Sequence, residues 1–490
     1  MASYELACNL PGNEANMENM VRAADPEAVF GTGSADYRIE ITVSGTKEGL
    51  TCRGWIGGRQ TAEVTFTDRE IGDPRYGMDA FAQRQKEMVR KGVLLLLQRT
   101  GRPVLPWGIL TGVRPSKIYH YLRDLGFSPA EVKEKLEDQF MLGPEKAALL
   151  AAVGEVQRPF FQKVAGRISI YVGIPFCPTK CHYCSFASYP LTTHAHLVEG
   201  FLTALAYEIE EIGKVLTRLG LTPATLYIGG GTPTVLSRAQ LGDLLARIHR
   251  CFPLAELLEY TVEAGRPDTL DRDKLKLLKD YGVTRVSVNP QTLNPRTLAR
   301  IGRQHTVAQL EAAVALVRAL DFPCLNMDMI IGLPGETEED WDYSLEKLLA
   351  YRGENITVHT LAPKRAATWD FSEVKGEIAA ERVAGWLEAS KQRLHTAGYY
   401  PYYLYRQRRS VAEQENCGYT LPGREGIYNI IMMEERATVL GLGGGGMSKW
   451  VDPVNFQVSR TPNPKCPATY RERIKELVAE KVAKLMASVN

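Results

Sequence analysis

The chain has no apolar run long enough to cross a bilayer. Its longest aliphatic stretch is Val93 to Leu97, against the roughly twenty residues that a spanning helix needs. It has no excess of charge: 59 lysines and arginines face 57 aspartates and glutamates, a net of +2. No global basic field therefore points to nucleic acid. The first residues, MASYELACNLPGN, lack the basic segment and apolar run of a signal peptide. Six of the nine cysteines, Cys8, Cys52, Cys251, Cys324, Cys417 and Cys466, are scattered with no disulfide framework. A reducing cytosol is the compartment this predicts. Nor is there a second C-x2-C pair, which a four-ligand structural zinc site would want.

What the chain does have is three cysteines in one turn, Cys177-Pro-Thr-Lys-Cys181-His-Tyr-Cys184. This spacing puts three thiolates within reach of one small object, one ligand short of a closed site. An iron–sulfur cubane held by three cysteines keeps one iron open for a substrate or cofactor. The alternatives are a zinc knuckle or coincidence. His182 could supply a fourth zinc ligand, but it lies between two of the thiols and would strain to converge with them. The preceding run, Ile168 to Phe176, is apolar and β-prone and reads as a buried strand. The thiols thus leave a strand end, where α/β folds place their chemistry.

Downstream the chain repeats a strand-then-helix rhythm. Strands are predicted at 168–176, 225–228, 260–263, 285–288, 326–331 and 356–361, with helical stretches at 197–219, 239–251, 271–281, 307–320 and 337–349. Six β/α units in series imply a parallel sheet with outer helices. Six are too few for a closed eightfold barrel, so the expected fold is α/β, an open partial (β/α)6 barrel over 166–375. Residues 1–165 look different. Strands at 37–43 and 62–66, a helix from Met78 to Arg99, a turn-rich segment from Trp107 to Lys117 and two more helical runs suggest a separate α+β domain. Residues 376–490, expected to form a C-terminal substrate-covering region, carry an aromatic stretch from Tyr399 to Tyr405, a glycine run from Leu442 to Met447 and an amphipathic helix from Tyr470 to Met486.

Each predicted strand end carries a signature. Gly229-Gly230-Gly231-Thr232-Pro233 would let a ligand approach the backbone and leave N–H groups free for it. Glu263 ends the third strand and Arg266 and Asp268 follow. Asn289-Pro-Gln291 ends the fourth, with Arg303 and His305 beyond. Asp328 sits inside an apolar run, where a carboxylate needs a partner or a ligand. Together these motifs resemble the radical S-adenosylmethionine (SAM) superfamily and, within it, the oxygen-independent coproporphyrinogen III oxidase family. The likeness runs over about 167–450, through Ala362 to Gly441-Leu-Gly443. The N-terminal domain, with Leu110-Thr-Gly-Val-Arg-Pro-Ser-Lys117, is similar to that family's longer-chain branch.

The resemblance implies specific roles. Cys177, Cys181 and Cys184 would ligate a [4Fe–4S] cluster whose open iron is chelated by SAM. Tyr171, Gly230, Gly231, Thr232, Glu263, Gln291, Arg303 and Asp328 match SAM contacts. Ala362 and Met447 match positions that touch a second SAM in the oxidase branch. One electron from a reductant such as flavodoxin or ferredoxin would yield a 5′-deoxyadenosyl radical. The oxidase's substrate is coproporphyrinogen III, whose two propionates become vinyls in protoporphyrinogen IX. The oxidase branch often has a further cysteine where this chain has Phe186. The haem-chaperone branch has H-N-x-x-Y where this chain has Tyr428-Asn429-Ile-Ile-Met432. A third branch opens haem, and it stays open here. Lys364, Arg365, Arg406, Arg408 and Arg409 could pair with tetrapyrrole carboxylates, or be surface charges. Tyrosines 399, 400, 402, 403 and 405 could flank a macrocycle, or form a half-buried strand.

Overall fold

The structure is a computed structural model and describes residues 1–31, 35–68, 80–362, 367–369, 380–407 and 414–488. Lys364, Arg365, Arg408, Arg409, the boundary at 375–376 and the start of the helix expected from Met78 lie outside the described residues. The chain divides into two compact units, Met1–Val156 and Gln157–Asn490. The boundary falls inside the helix Pro144–Val164.

In the first unit five strands, β1 (Ser3–Cys8), β2 (Val29–Phe30), β3 (Tyr37–Thr46), β4 (Gly49–Gly58) and β5 (Ala62–Asp68), pair in the order β2-β1-β3-β4-β5. On β3, Tyr37, Ile39, Ile41 and Val43 are buried and their neighbours are not, the period-2 pattern of a sheet with one covered face. The helix Ala80–Arg99 lies on that face. It carries Gly92 mid-helix because a Cβ there would sit 2.9 Å from the Cys52 sulfur and 3.0 Å from Ile41. The hairpin strand β4 escapes a sequence reading because four of its ten residues are glycine.

The second unit is built on one eleven-stranded sheet. All six predicted parallel strands form: β6 (Ile168–Ile174), β9 (Pro223–Gly230), β10 (Glu259–Glu263), β11 (Arg285–Ser287), β12 (Cys324–Ile331) and β13 (Asn355–Thr360). Two short strands, β7 (Phe176–Cys177) and β8 (Tyr189–Pro190), pair separately and bracket the cysteine loop. The six parallel strands lie side by side in chain order, so successive helical crossovers wind one way, as in a barrel wall. Among the described residues the sheet is not closed. Beyond β13 it continues antiparallel into β15 (Glu415–Thr420) and β14 (Tyr400–Arg406). Beyond β6 it continues into β16 (Val439–Gly443), β17 (Met447–Val451) and β18 (Val458–Pro462). Residues of the 376–490 region extend both ends of the barrel's own sheet.

β16 is a seventh parallel strand that the glycine run conceals. It pairs with β6 from Val439↔Ser169 to Gly443↔Gly173. Gly443 has φ +74°, and a Cβ there would lie 2.3 Å from the Gly173 carbonyl oxygen. Residues that strands normally avoid are required here by the close approach of two backbones. The aromatic stretch is a strand: Tyr402 and Tyr403 are buried, with hydroxyls bonded to Asn429 and Thr357. Arg406, at the end of that strand, is buried too. The C-terminal helix Pro467–Ala487 packs on the helix Val198–Leu219. Between them Lys481 is ion-paired with Glu208, both fully buried. Glu208 also accepts hydrogen bonds from Tyr470 (2.5 Å), from the Gly443 N–H (2.8 Å) and from Asn463 (3.2 Å).

Candidate active site

The cysteine loop is fixed by its backbone and by its neighbours. Tyr189 N–H donates to Pro175 O, His182 N–H to Ile301 O, and Cys184 N–H to Cys181 O. Arg266 donates to Thr179, whose hydroxyl donates to Gly302 O, and Lys465 donates to Ser185 O. Cys177 is buried, while Cys181 and Cys184 are partly exposed. Burial pushes the Cys177 thiol up to about 12, opposed by a contact with the Thr232 hydroxyl at 3.5 Å and reinforced by the other two cysteines. Burial raises the Cys184 thiol as well. Thiols raised in this way must lose their protons to bind metal, so loading the loop releases acid. As the side chains stand, no three His, Cys, Asp or Glu among the described residues converge to hold a single metal ion. The His182 ring is engaged elsewhere: it bonds Thr368 at 2.9 Å and stacks on Trp369. Phe186, where a further cysteine would fall, is 70% exposed. None of the nine cysteines, all described, forms a disulfide.

The glycine motif does not offer free N–H groups, contrary to expectation. Gly230 N–H donates to Glu263 at 3.1 Å, Gly231 N–H to Ile174 O and Thr232 N–H to Phe176 O. The reason is that β9 runs on beside β6 and reaches the cysteine loop. The expected close approach does occur, but to protein: a Cβ on Gly231 would sit 2.4 Å from Phe176 O and 3.0 Å from the Cys177 sulfur.

One face of the parallel strands, the lumen face, carries a row of partly exposed side chains. On strands otherwise buried, the partly exposed residues are Tyr171 on β6, Tyr227 and Gly230 on β9, Glu263 on β10, Asn326 and Asp328 on β12, and His359 on β13. Tyr227 donates to Glu263 at 2.5 Å and stacks on Tyr428, and Tyr171 stacks on both. Glu263 is pushed up to about 7 by burial, with the Tyr227 hydrogen bond opposing it and the charge of Asp328 adding to it. Asp328 accepts from Asn289 at 2.9 Å and from Asn326 at 3.0 Å, and His359 Nε2 lies 3.7 Å away. Sequence reading placed Glu263, Asp328, Gln291 and Tyr171 here; it missed Tyr227, Asn326 and His359. The signal available was a polar or hydroxylated residue at period 2 within an otherwise apolar strand.

Gln291 holds φ +67°, which a non-glycine residue adopts at a cost. Its backbone bridges to β12, with N–H to Asp328 O and O accepting from Ile330. Its side-chain Oε1 and the Asn289 Oδ1 are buried with no hydrogen-bond partner among the described residues. Two orphaned acceptors beside two carboxylates suit a cationic ligand rich in donors. SAM, with its sulfonium, ammonium, adenine amino group and ribose hydroxyls, fits that set. Arg303 is engaged by protein on every side: Gly265 O (2.6 Å), Asn289 O (2.8 Å), the Tyr183 hydroxyl and His305 (each 3.3 Å). It braces the cysteine loop, through Tyr183, against two strand ends. Ala362 is buried just past β13, and Met447 is partly exposed at the start of β17. Among the described residues no helix is long and apolar enough to cross a membrane.

Residues 171–348 match the model of the Radical SAM superfamily. The oxygen-independent coproporphyrinogen-III oxidase-like protein HemZ of Bacillus subtilis is 37% identical over 95% of this chain and 94% of its own length. The haem chaperone HemW of the same organism is 36% identical, but over only 39% of this chain and 50% of its own. The solved structure of coproporphyrinogen III oxidase (HemN) from Escherichia coli, described as a radical SAM enzyme, superposes with a TM-score of 0.52 at 22% identity. That match covers 66% of this chain and 73% of the other.

Proposed function

Because the chain belongs to the oxygen-independent coproporphyrinogen III oxidase-like family of the radical SAM superfamily, whose members use a [4Fe–4S] cluster and SAM, we propose that it decarboxylates coproporphyrinogen III oxidatively to protoporphyrinogen IX. The observation that carries the reading is the lumen. Its motif residues converge from four strands at the mouth where the cysteine loop sits. Cys177, Cys181 and Cys184 would hold the cluster, and Gly230, Gly231, Thr232, Glu263, Gln291, Asp328 and Tyr171 would cradle SAM, with Arg303 steadying the wall. When bound, cluster and SAM supply a 5′-deoxyadenosyl radical at the cost of one electron. The protein's part is to orient and to exclude water. Glu263 and Asp328 would face the ligand's positive charge. The Tyr171–Tyr227–Tyr428 stack forms an apolar wall. Ala362 and Met447 are candidate contacts for a second SAM. The electron donor would be a flavodoxin or ferredoxin. The unpaired cysteines suit the reducing cytosol.

Loss of Glu263 or Asp328 should weaken SAM binding. A desolvated hydrogen bond to a charged group contributes about 1.5–3 kcal/mol, so Glu263→Gln and Asp328→Asn should each cost roughly ten- to a hundredfold in affinity. Because Glu263 titrates near 7 and its carboxylate is the binding form, wild-type affinity should rise from pH 6 to pH 8. That slope should flatten in Glu263→Gln. Equilibrium binding to cluster-loaded protein reads both, and unchanged affinity in both variants would sink the assignment.

The reaction is tested by anaerobic incubation with a one-electron reductant, SAM and coproporphyrinogen III. The expected products are a vinyl-bearing tetrapyrrole and 5′-deoxyadenosine. Stable haem binding without consumption of coproporphyrinogen would favour a chaperone, and a linear tetrapyrrole from haem would favour ring opening. The chaperone reading is weakened by Tyr428, which stands where that branch carries histidine. It is buried and stacked at 4.3 Å on Tyr227, and it offers no imidazole.

A further inference from the structure

One wall of the lumen is unused by the motifs. His359 on β13 and Tyr405 on β14 are bonded, Nδ1 to hydroxyl, at 3.1 Å. Gln407 Nε2 donates to the same hydroxyl oxygen at 3.3 Å. On its other side His359 faces Asp328. His359 and Tyr405 lie among buried strand residues yet stay partly exposed, and Gln407, just past β14, is partly exposed too. A histidine kept only for packing would be expected to be enclosed.

We propose that Tyr405, backed by His359 and Gln407, binds a carboxylate of the tetrapyrrole on the lumen wall beyond Asp328. This rests on the function proposed above and adds the residue that reads the substrate's acid group. The hydrogen-bond inventory makes the case. In the tautomer with its hydrogen on Nδ1, His359 donates to the Tyr405 oxygen. Gln407 fills that oxygen's second acceptor site. The phenol hydrogen then has no acceptor within the triad and is free for one in the lumen. With Nδ1 bare, the phenol donates to the imidazole and nothing is left over. A bound carboxylate selects the first arrangement. Burial pushes the Tyr405 phenol up to about 12, so the hydroxyl keeps its hydrogen at neutral pH. His359 is the one basic side chain among the partly exposed residues on the parallel strands' inner face. Its Nε2 stands 3.7 Å from Asp328, where an acidic ligand must enter.

The test compares coproporphyrin III with its tetramethyl ester, each titrated by fluorescence into cluster-loaded protein in the same dilute detergent. Wild type should prefer the free acid by about tenfold or more, the scale of one hydrogen bond to a charged group. Tyr405→Phe should lose most of that preference while keeping the ester's affinity, its SAM affinity and its melting temperature. His359→Gln, which keeps an amide near the phenol, should fall between. Equal binding of acid and ester by wild type, or an undiminished preference in Tyr405→Phe, would overturn the proposal. So would a matching loss of SAM affinity in Tyr405→Phe, which would make the triad a support for Asp328 alone. Preferential binding of the acid with no decarboxylation would instead overturn the reaction and leave this site standing.

Discussion

Replacing Cys177, Cys181 and Cys184 together by alanine should take the anaerobically reconstituted protein from about four irons per chain to essentially none. Reductive cleavage of SAM should vanish with them. The fold should survive. The loop is held by backbone bonds at Pro175, Ile301 and Cys181 and by side chains reaching Gly302 and Ser185, none of which uses a thiol. Single replacements should lose nearly as much activity, because three ligands leave none to spare. Cys417→Ala and Cys466→Ala should keep their iron. Iron analysis with the charge-transfer absorption of the cluster measures the outcome. A triple variant that retains iron, or a native protein that takes up zinc in preference, would remove the basis of the proposed chemistry.

The second large effect is expected far from the thiols. Lys481→Met would strand the Glu208 carboxylate in a site where both groups are fully buried. Breaking a buried pair from one side typically costs about 3–5 kcal/mol, whereas removing both charges is far milder. The double variant Glu208→Gln, Lys481→Met should therefore be more stable than Lys481→Met alone. Denaturant titration and native-state proteolysis distinguish them. Equal stability of Lys481→Met and wild type would mean that the pair holds nothing. Since Glu208 also holds the Gly443 N–H and Tyr470, the single variant should loosen β16 against β6 and load its cluster poorly.

How much of this was legible follows from what each element is made of. The six barrel strands announce themselves as short β-prone runs, largely apolar, between glycine and proline signals. β16 does not, because four glycines follow Leu442 and the crowding that requires them exists only once β6 is in place. Glu263 and Asp328 were visible as carboxylates in improbable surroundings. Tyr227 and His359 were not, since a tyrosine or a histidine in a strand is unremarked until its neighbours are known to be buried. The expected role of the Gly230, Gly231 and Thr232 N–H groups failed for a similar reason. Which acceptor a backbone group finds depends on the chain beside it. Here β6 ends at Ile174 and leads into Phe176, and the carbonyls of these two residues take the Gly231 and Thr232 N–H groups.

The position of β16 also sets an order of events in the cell. β6 is the first strand of its sheet to leave the ribosome, and its outer edge is paired only by residues 439–443, near the end of the chain. Until then the strand that leads into the cysteine loop carries an open edge, the kind that recruits other chains. Iron delivered during translation would meet an unfinished mouth. A transcript cut short after β13 would yield a protein with every cysteine of the loop and most of the lumen but without the strand that closes its flank. Such a product should aggregate, so that maturation of the centre is gated by completion of the polypeptide.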